Sequence, residues 1–242
     1  MARYVRLRYK FLPYLYQLFI AQEKTGEAIL RPLFYDFQDR RAQPLGRIDD
    51  QFMVGPCLMH APVVNEGKNK RSVVLPAGIR WYSLSEGRWH RGGQTIEIKT
   101  PEATTPLFVR EGSLVALRPG QSGEQTTDLR EIELHVFLEA GSRLEAVCDY
   151  SADDGETFGY QRGQRTTVKF RARLLRDGTL ALNAGLVASG YGSLRVRVVS
   201  YSDAPNLSVP SNGDGKMRPL RPFSWQCSGS RLPVRISATF DI

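Results

Sequence analysis

Leu107-Phe-Val-Arg-Glu-Gly-Ser-Leu-Val-Ala-Leu117 carries two short apolar runs on either side of Glu111-Gly112, and its reading decides the fold class. Runs of this length, rich in Leu, Val and Phe and bounded by turn residues, are too short for helices and read as strands. The same pattern extends upstream. Thr95-Ile-Glu-Ile-Lys99 alternates apolar with polar, Arg80-Trp-Tyr-Ser-Leu84 stops at Glu86-Gly87, and Ser72-Val-Val-Leu75 stops at Pro76-Ala-Gly78. Met53 to Val64 is apolar around Gly55-Pro56 and Pro62. Many short strands at this spacing predict a small β-sandwich.

Downstream, Pro119 to Asp128 is polar and reads as a linker. A second β series follows it. In Arg130 to Leu138, Ile132, Leu134, Val136 and Leu138 alternate with Glu131, Glu133, His135 and Phe137, which predicts a half-buried strand with His135 on its wet face. Leu144 to Cys148 and Thr166 to Arg171 bracket an acidic turn, and Arg173 to Leu182 around Asp177-Gly178 reads as a hairpin. Leu194 to Val199 alternates again. The tail from Ser200 is broken by prolines and ends in a plausible last strand, Pro233 to Phe240.

Upstream of the β series, Leu7, Phe11, Tyr14, Leu15 and Leu18 recur at helical spacing, with Lys24 and Gly26 as an end signal. Pro13 either kinks this helix or marks the first turn of its second half. Basic residues before Phe11 to Ile20 mimic a signal peptide, but Pro13 and Gln17 interrupt the apolar run and no small-x-small cleavage site follows. The run is also shorter than the roughly 20 apolar residues of a membrane span, so no membrane partner is expected. Ala28 to Phe34 reads as one buried strand, which makes this the only α/β unit in the chain.

The 242 residues are 41% hydrophobic and 24% charged, an ordinary globular composition able to bury a core. The net charge of +8 arises from 33 Lys and Arg interleaved with 25 acidic residues, so a solvated basic surface is expected and no nucleic-acid partner. Lys68-Asn-Lys-Arg71 reads as an exposed loop. The three cysteines, at 57, 148 and 227, lack metal-ligand or paired spacing. Cys57 and Cys148 are expected to be buried thiols in a reducing compartment, and the expected location is the cytoplasm.

Residues that carry chemistry are few. Only three His occur, at 60, 90 and 135, with no pair at metal spacing, so no metal site and no cofactor is expected. Asp149 to Tyr160 resembles a calcium loop superficially, but Asp154 stands where such a loop needs Gly and Tyr160 where it needs Glu; a turn is the better reading. Asp49 and Asp50, adjacent on an extended segment, point to opposite faces and cannot form a glycosidase carboxylate pair. Asp49 reads as a cap for whatever begins at Gln51, and Asp50 as a structural acceptor. Trp81, Tyr82 and Trp89 are candidate sugar-stacking residues, although aromatics in strands are more often core.

These residues also carry a family resemblance. Arg6 to Tyr16, Arg31-Pro-Leu-Phe34, Ile48 to Gly55 and Ala61-Pro-Val63 are similar to consecutive blocks of glycoside hydrolase family 31, the α-glucosidase and α-xylosidase family. The similarity continues, in the family's order, through Val74 to Gly78, Trp81-Tyr82, Gly92-Gly-Gln94, Pro106 to Ser113 and Asp153-Asp-Gly-Glu-Thr-Phe-Gly-Tyr160, and fades after Arg171. The resemblance implies a mainly β chain: two consecutive antiparallel β-sandwiches preceded by the last helix and strand of a (β/α)8 barrel. The implied division is 1–48 for the barrel piece, 49–119 for the proximal sandwich and 120–242 for the distal one.

The family's nucleophile motif, Trp-x-Asp-Met-Asn-Glu, does not occur in this sequence, nor does its acid/base segment. No residue therefore inherits a catalytic role. The implied parent reaction is retaining hydrolysis of a terminal α-linked glucose or xylose, with this chain a C-terminal fragment that is inactive alone. Carbohydrate is the implied substrate, and the implied partner is the missing barrel or a complementing chain. Self-association through the exposed barrel piece is also expected. A carbohydrate-binding β module and one half of a split glycosidase are the alternatives.

Overall fold

The computed structural model describes residues 2–37, 44–65, 69–100, 105–119, 128–176, 179–201, 218–219 and 238–241. Strands dominate. The chain forms two compact units, one built on Leu18–Glu111 and the other on Val5–Gln17 with the described residues after Gly112.

Helix α1 (Ala2–Lys10) and helix α2 (Leu12–Thr25) are separated only at Phe11. Phe11 N–H still donates to Leu7, and Leu15 to Phe11, so the interruption is the missing donor at Pro13, in the first turn of α2. Gly26 ends the helix with φ of +73°, its N–H on the Gln22 carbonyl at 2.8 Å.

In the first unit the strands are β1 (Leu30–Pro32), β2 (Phe52–Val54), β3 (Leu58–His60), β4 (Lys70–Leu75), β5 (Arg80–Ser83), β6 (Arg88–Arg91), β7 (Gln94–Lys99) and β8 (Leu107–Arg110). Six of them make an antiparallel sheet in the order β1-β2-β3-β8-β5-β6, and β4 pairs with β7 as a separate ribbon. Met53, Met59, Trp81 and Phe108 of the sheet bury against Val73, Leu75 and Ile98 of the ribbon. Gln51, itself buried, ties the two together: its amide accepts from Val74 N–H at 2.9 Å and donates to Val74 carbonyl at 3.0 Å.

Two expectations change here. Ala28 to Phe34 is not a buried strand, since Leu30 and Phe34 are exposed and a short helix, α3 (Leu33–Asp36), begins at Leu33. Within this chain β1 pairs antiparallel with β2, whereas barrel strands run parallel to their neighbours. No helix starts at Gln51, so Asp49 caps nothing; the chain enters β2 directly.

The second unit holds β9 (Ser113–Leu117), β10 (Glu131–Phe137), β11 (Glu145–Ala152), β12 (Thr166–Leu174), β13 (Leu180–Ser189), β14 (Arg195–Ser200), β15 (Arg218–Pro219) and β16 (Ala238–Asp241). They form one eight-stranded sheet in the order β13-β12-β11-β9-β10-β14-β16-β15. It is mixed rather than antiparallel: β10 pairs parallel with β14, and β11 meets β9 in parallel through the single pair Val147 and Ser113. At that thin join the sheet folds on itself, so that Leu134, Val136 and Val196 from one half share a core with Tyr150, Val168 and Phe170 from the other.

The units divide at Glu111 and Gly112, earlier than the polar stretch that the sequence marks, whose residues 120–127 lie outside the described residues. β8 joins the six-stranded sheet, whereas β9 pairs with β10. The Asp177-Gly178 turn, Cys227 and 233–237 also lie outside, although Leu175 N–H to Thr179 carbonyl at 2.7 Å closes the predicted hairpin. Among the described residues no helix is long and apolar enough to cross a membrane.

Candidate functional site

The three sugar-stacking candidates meet on one hairpin but not on its surface. Trp81 and Tyr82 are 0% and 3% exposed, with the Trp81 indole N–H on the Pro76 carbonyl at 3.1 Å. Trp89 is half-buried and packs edge-on against Tyr82 at 5.2 Å. Only Trp89 retains any accessible ring. The strand β6 that carries it had no apolar alternation to announce it.

Asp50 is the structural acceptor that its sequence position implies. Arg71 donates to its carboxylate at 2.6 Å and to its carbonyl at 2.8 Å, and the guanidinium hydrogen bond holds the Asp50 carboxyl below the usual range. Lys68 lies outside the described residues and Lys70 is exposed, but Arg71 is drawn out of the predicted loop by this pair. A groove of about 450 Å³ beside it is lined by Val63, Asn65, Asn69, Arg71 and Glu97. Its charges are already neutralised, Arg71 by Asp50 and Glu97 by Lys70 at 2.8 Å.

The buried polar groups concentrate in the second unit, where α1 and α2 lie on the sheet. Asp153, 2% exposed, accepts from the Tyr16 hydroxyl at 2.5 Å and Gly155 N–H at 3.0 Å on one oxygen, and from Arg165 at 2.8 Å on the other. Burial, then the Asp153 hydrogen bond and charge, push the Tyr16 hydroxyl up to about 12. One residue along α2, Gln17 repeats the backbone-mimicking grip of Gln51: it accepts from Ser151 N–H at 2.7 Å and donates to Ser151 carbonyl at 2.9 Å. Asp154 faces outward and accepts from Glu156 and Thr157, so the acidic segment is a turn, as expected.

His135 is not on a wet face. It is 1% exposed, between the Tyr201 hydroxyl at 2.8 Å and Glu133 at 3.2 Å. β10 is a central strand covered on both sides, so period-two alternation there does not separate core from solvent. Glu133, 0% exposed, also accepts from Arg197 at 2.9 Å and lies 4.0 Å from Lys10 of α1. Burial alone would raise its carboxyl, but His135, Lys10 and Arg197 together hold it below the ordinary value.

These ionic groups were legible one by one in the sequence but not as partners, because Tyr16 and Asp153 are 137 residues apart. Chemically the arrangement braces helices against a sheet. The buried carboxylates of Glu133 and Asp153 are committed to cations and a hydroxyl, and among the described residues no cluster of His, Cys, Asp or Glu could hold a metal ion. Cys57 and Cys148 are half-buried rather than buried. A further apolar set faces solvent: Val5 and Tyr9 one turn apart on α1, and Phe19, Leu30, Phe34 and Tyr35 in the first unit.

Comparison with known proteins gives a consistent result. Residues 26–115 match the profile described as "Glycosyl hydrolase family 31 C-terminal domain". The chain is 32% identical over 161 residues to "Alpha-glucosidase 2" of Bacillus thermoamyloliquefaciens, covering 66% of this chain and 20% of that protein. It is 34% identical over 164 residues to the "Alpha-xylosidase" of Saccharolobus solfataricus, covering 67% and 21%. Among solved structures, the GH31 alpha-xylosidase from Xanthomonas citri superposes with a TM-score of 0.70 at 31% identity, over 84% of this chain and 22% of that one. The chain thus spans about a fifth of the length of these relatives.

Proposed function

Because the chain carries the glycosyl hydrolase family 31 C-terminal domain, we propose that it serves as the C-terminal β portion of an α-glycosidase, bracing a catalytic barrel that lies outside these 242 residues. The parent reaction is retaining hydrolysis of terminal α-linked glucose or xylose. The observation that carries the reading is the state of the carboxylates. A glycosidase needs two, about 5–10 Å apart and free to act on one sugar. Here Asp50, Glu133 and Asp153 are each locked to Arg or His, and the family's nucleophile motif does not occur.

The exposed apolar residues on β1 and α3 support a partner surface on the first unit, and Val5 and Tyr9 on α1 support one on the second. In this reading α1 and α2 are what this chain keeps of the barrel. Cys57 and Cys148, as free thiols, support a cytoplasmic location in this reading.

The test is hydrolysis of nitrophenyl α-glucoside and α-xyloside by the pure chain, alone and mixed with a family 31 barrel lacking its own β portion. Silence alone with activity gained on mixing is expected. Turnover by the pure chain would sink the reading. A carbohydrate-binding module is the second reading, favoured by Trp89; quenching of Trp fluorescence that saturates with maltose would establish it.

A further inference from the structure

Phe158 is 72% exposed, the most exposed large apolar side chain among the described residues. A flexible loop would let such a ring fold back onto the protein. This one cannot. Asp154 accepts from Glu156 N–H, Thr157 N–H and the Thr157 hydroxyl, the last at 2.5 Å. The Thr157 oxygen in turn accepts from Gly159 N–H at 3.1 Å, capping the 3-10 turn Phe158–Arg162 that closes at Gly163 with φ of +84°. Tyr160 stands beside Phe158, ring centres 6.2 Å apart, with the Arg165 guanidinium 4.4 Å above the Tyr160 ring. Arg165 reaches on to Asp153, and Asp153 to Tyr16 of α2.

The ring is therefore displayed at one end of an ordered chain of contacts whose other end is the helix. Ordering costs that usually oppose binding are already met in the free protein, and a preorganised, protruding aromatic is the usual form of an interface anchor. We propose that residues 153–163 form a docking clasp for the catalytic portion of a family 31 α-glycosidase, with Phe158 seated in an apolar hollow on that partner. This rests on the function proposed above.

Two observations select that occupant. The clasp is rooted on α2 through Tyr16 and Gln17, the segment that the proposed function assigns to the barrel's edge. The relatives extend over about four-fifths of their length outside the matched stretch, so a body of protein is available to cover it. Val5 and Tyr9 on α1, exposed in the same unit, offer the partner a second apolar contact.

The experiment measures binding of the full chain to the Saccharolobus solfataricus α-xylosidase expressed without its own matching C-terminal stretch, using wild type, Phe158→Ser and Val187→Ser. Val187, 59% exposed, controls for general stickiness. The proposal expects Phe158→Ser to bind at least about tenfold more weakly, with the thermal melt unchanged and Val187→Ser like wild type. Equal binding by wild type and Phe158→Ser would overturn the clasp and leave the proposed function standing. Equal weakening by both variants would also overturn it, as nonspecific association. No binding by wild type would overturn both.

Discussion

Burial and the Asp153 carboxylate together hold the Tyr16 hydroxyl protonated, and that gives the helix contact a pH signature. The Tyr16 hydroxyl is pushed up to about 12 in the fold, by burial first and then by Asp153, against about 10 in an unfolded chain. Its stabilisation is thus complete below pH 10 and is lost as pH rises towards 12. Tyr16→Phe should cost about 1.5–3 kcal/mol at neutral pH, the range for a hydrogen bond to a charged group, and should flatten the alkaline decline in urea midpoint. A Tyr16→Phe curve parallel to wild type would argue that the bond is not formed. Glu133 gives the opposite limb. Its folded carboxyl is held below the unfolded value of about 4.3, so its stabilisation is present above that pH and is lost as pH falls through the depressed folded value. Glu133→Gln should lose about 3–5 kcal/mol at pH 7, because Arg197 and Lys10 are left facing an uncharged amide, and should show little further loss on acidification. The sequence showed that the acidic segment was a turn, since the donors to Asp154 are Glu156 and Thr157, and it read Asp50 as structural without its partner Arg71, which lies 21 residues on. It misplaced His135, because burial there is decided by what covers the strand from elsewhere, whereas the reading that aromatics in strands are more often core holds for Trp81 and Tyr82.

Local elements were the most legible level: the helix end at Gly26, the turn at Gly55 and the hairpin of β12 and β13 all follow from turn chemistry and alternation. Topology was not. Glu111-Gly112 looks like a hairpin turn, yet the strands beside it enter different sheets, and the parallel pairing of β10 with β14 leaves no local mark in either strand. Gly190 shows a further constraint that no propensity reveals. A Cβ there would fall on the Gly163 carbonyl, so Gly190→Ala should destabilise the second unit by about 2–4 kcal/mol, more than the roughly 1–2 kcal/mol for Gly163→Ala, where the cost is the left-handed backbone alone. Urea denaturation of the two variants ranks them, and the reverse order would contradict this packing. β13 is an edge strand of ten residues without a charge, the kind that pairs with other chains. Val187→Lys should reduce light scattering at high protein concentration, and unchanged scattering would mean that this edge is not where copies associate.

At the scale of the whole chain, the mainly β class and the ordered family blocks could be read from the residues, because both are patterns repeated many times over. The two compact units divide at Glu111 and Gly112, and the polar, Gly-rich stretch that reads as a linker lies further along the chain. The mixed eight-stranded sheet also sets a schedule for synthesis. Glu131 of β10 pairs with Arg195 of β14, 64 residues later. At about 5–20 residues per second on a ribosome, one edge of β10 waits roughly 3–13 seconds for its neighbour, and Glu133 waits as long for Arg197. During that interval a nascent chain holds a central strand with one open edge and a buried acid that still lacks its Arg partner. Production of this protein should therefore be limited by chaperone supply and translation speed before it is limited by the stability of the finished fold.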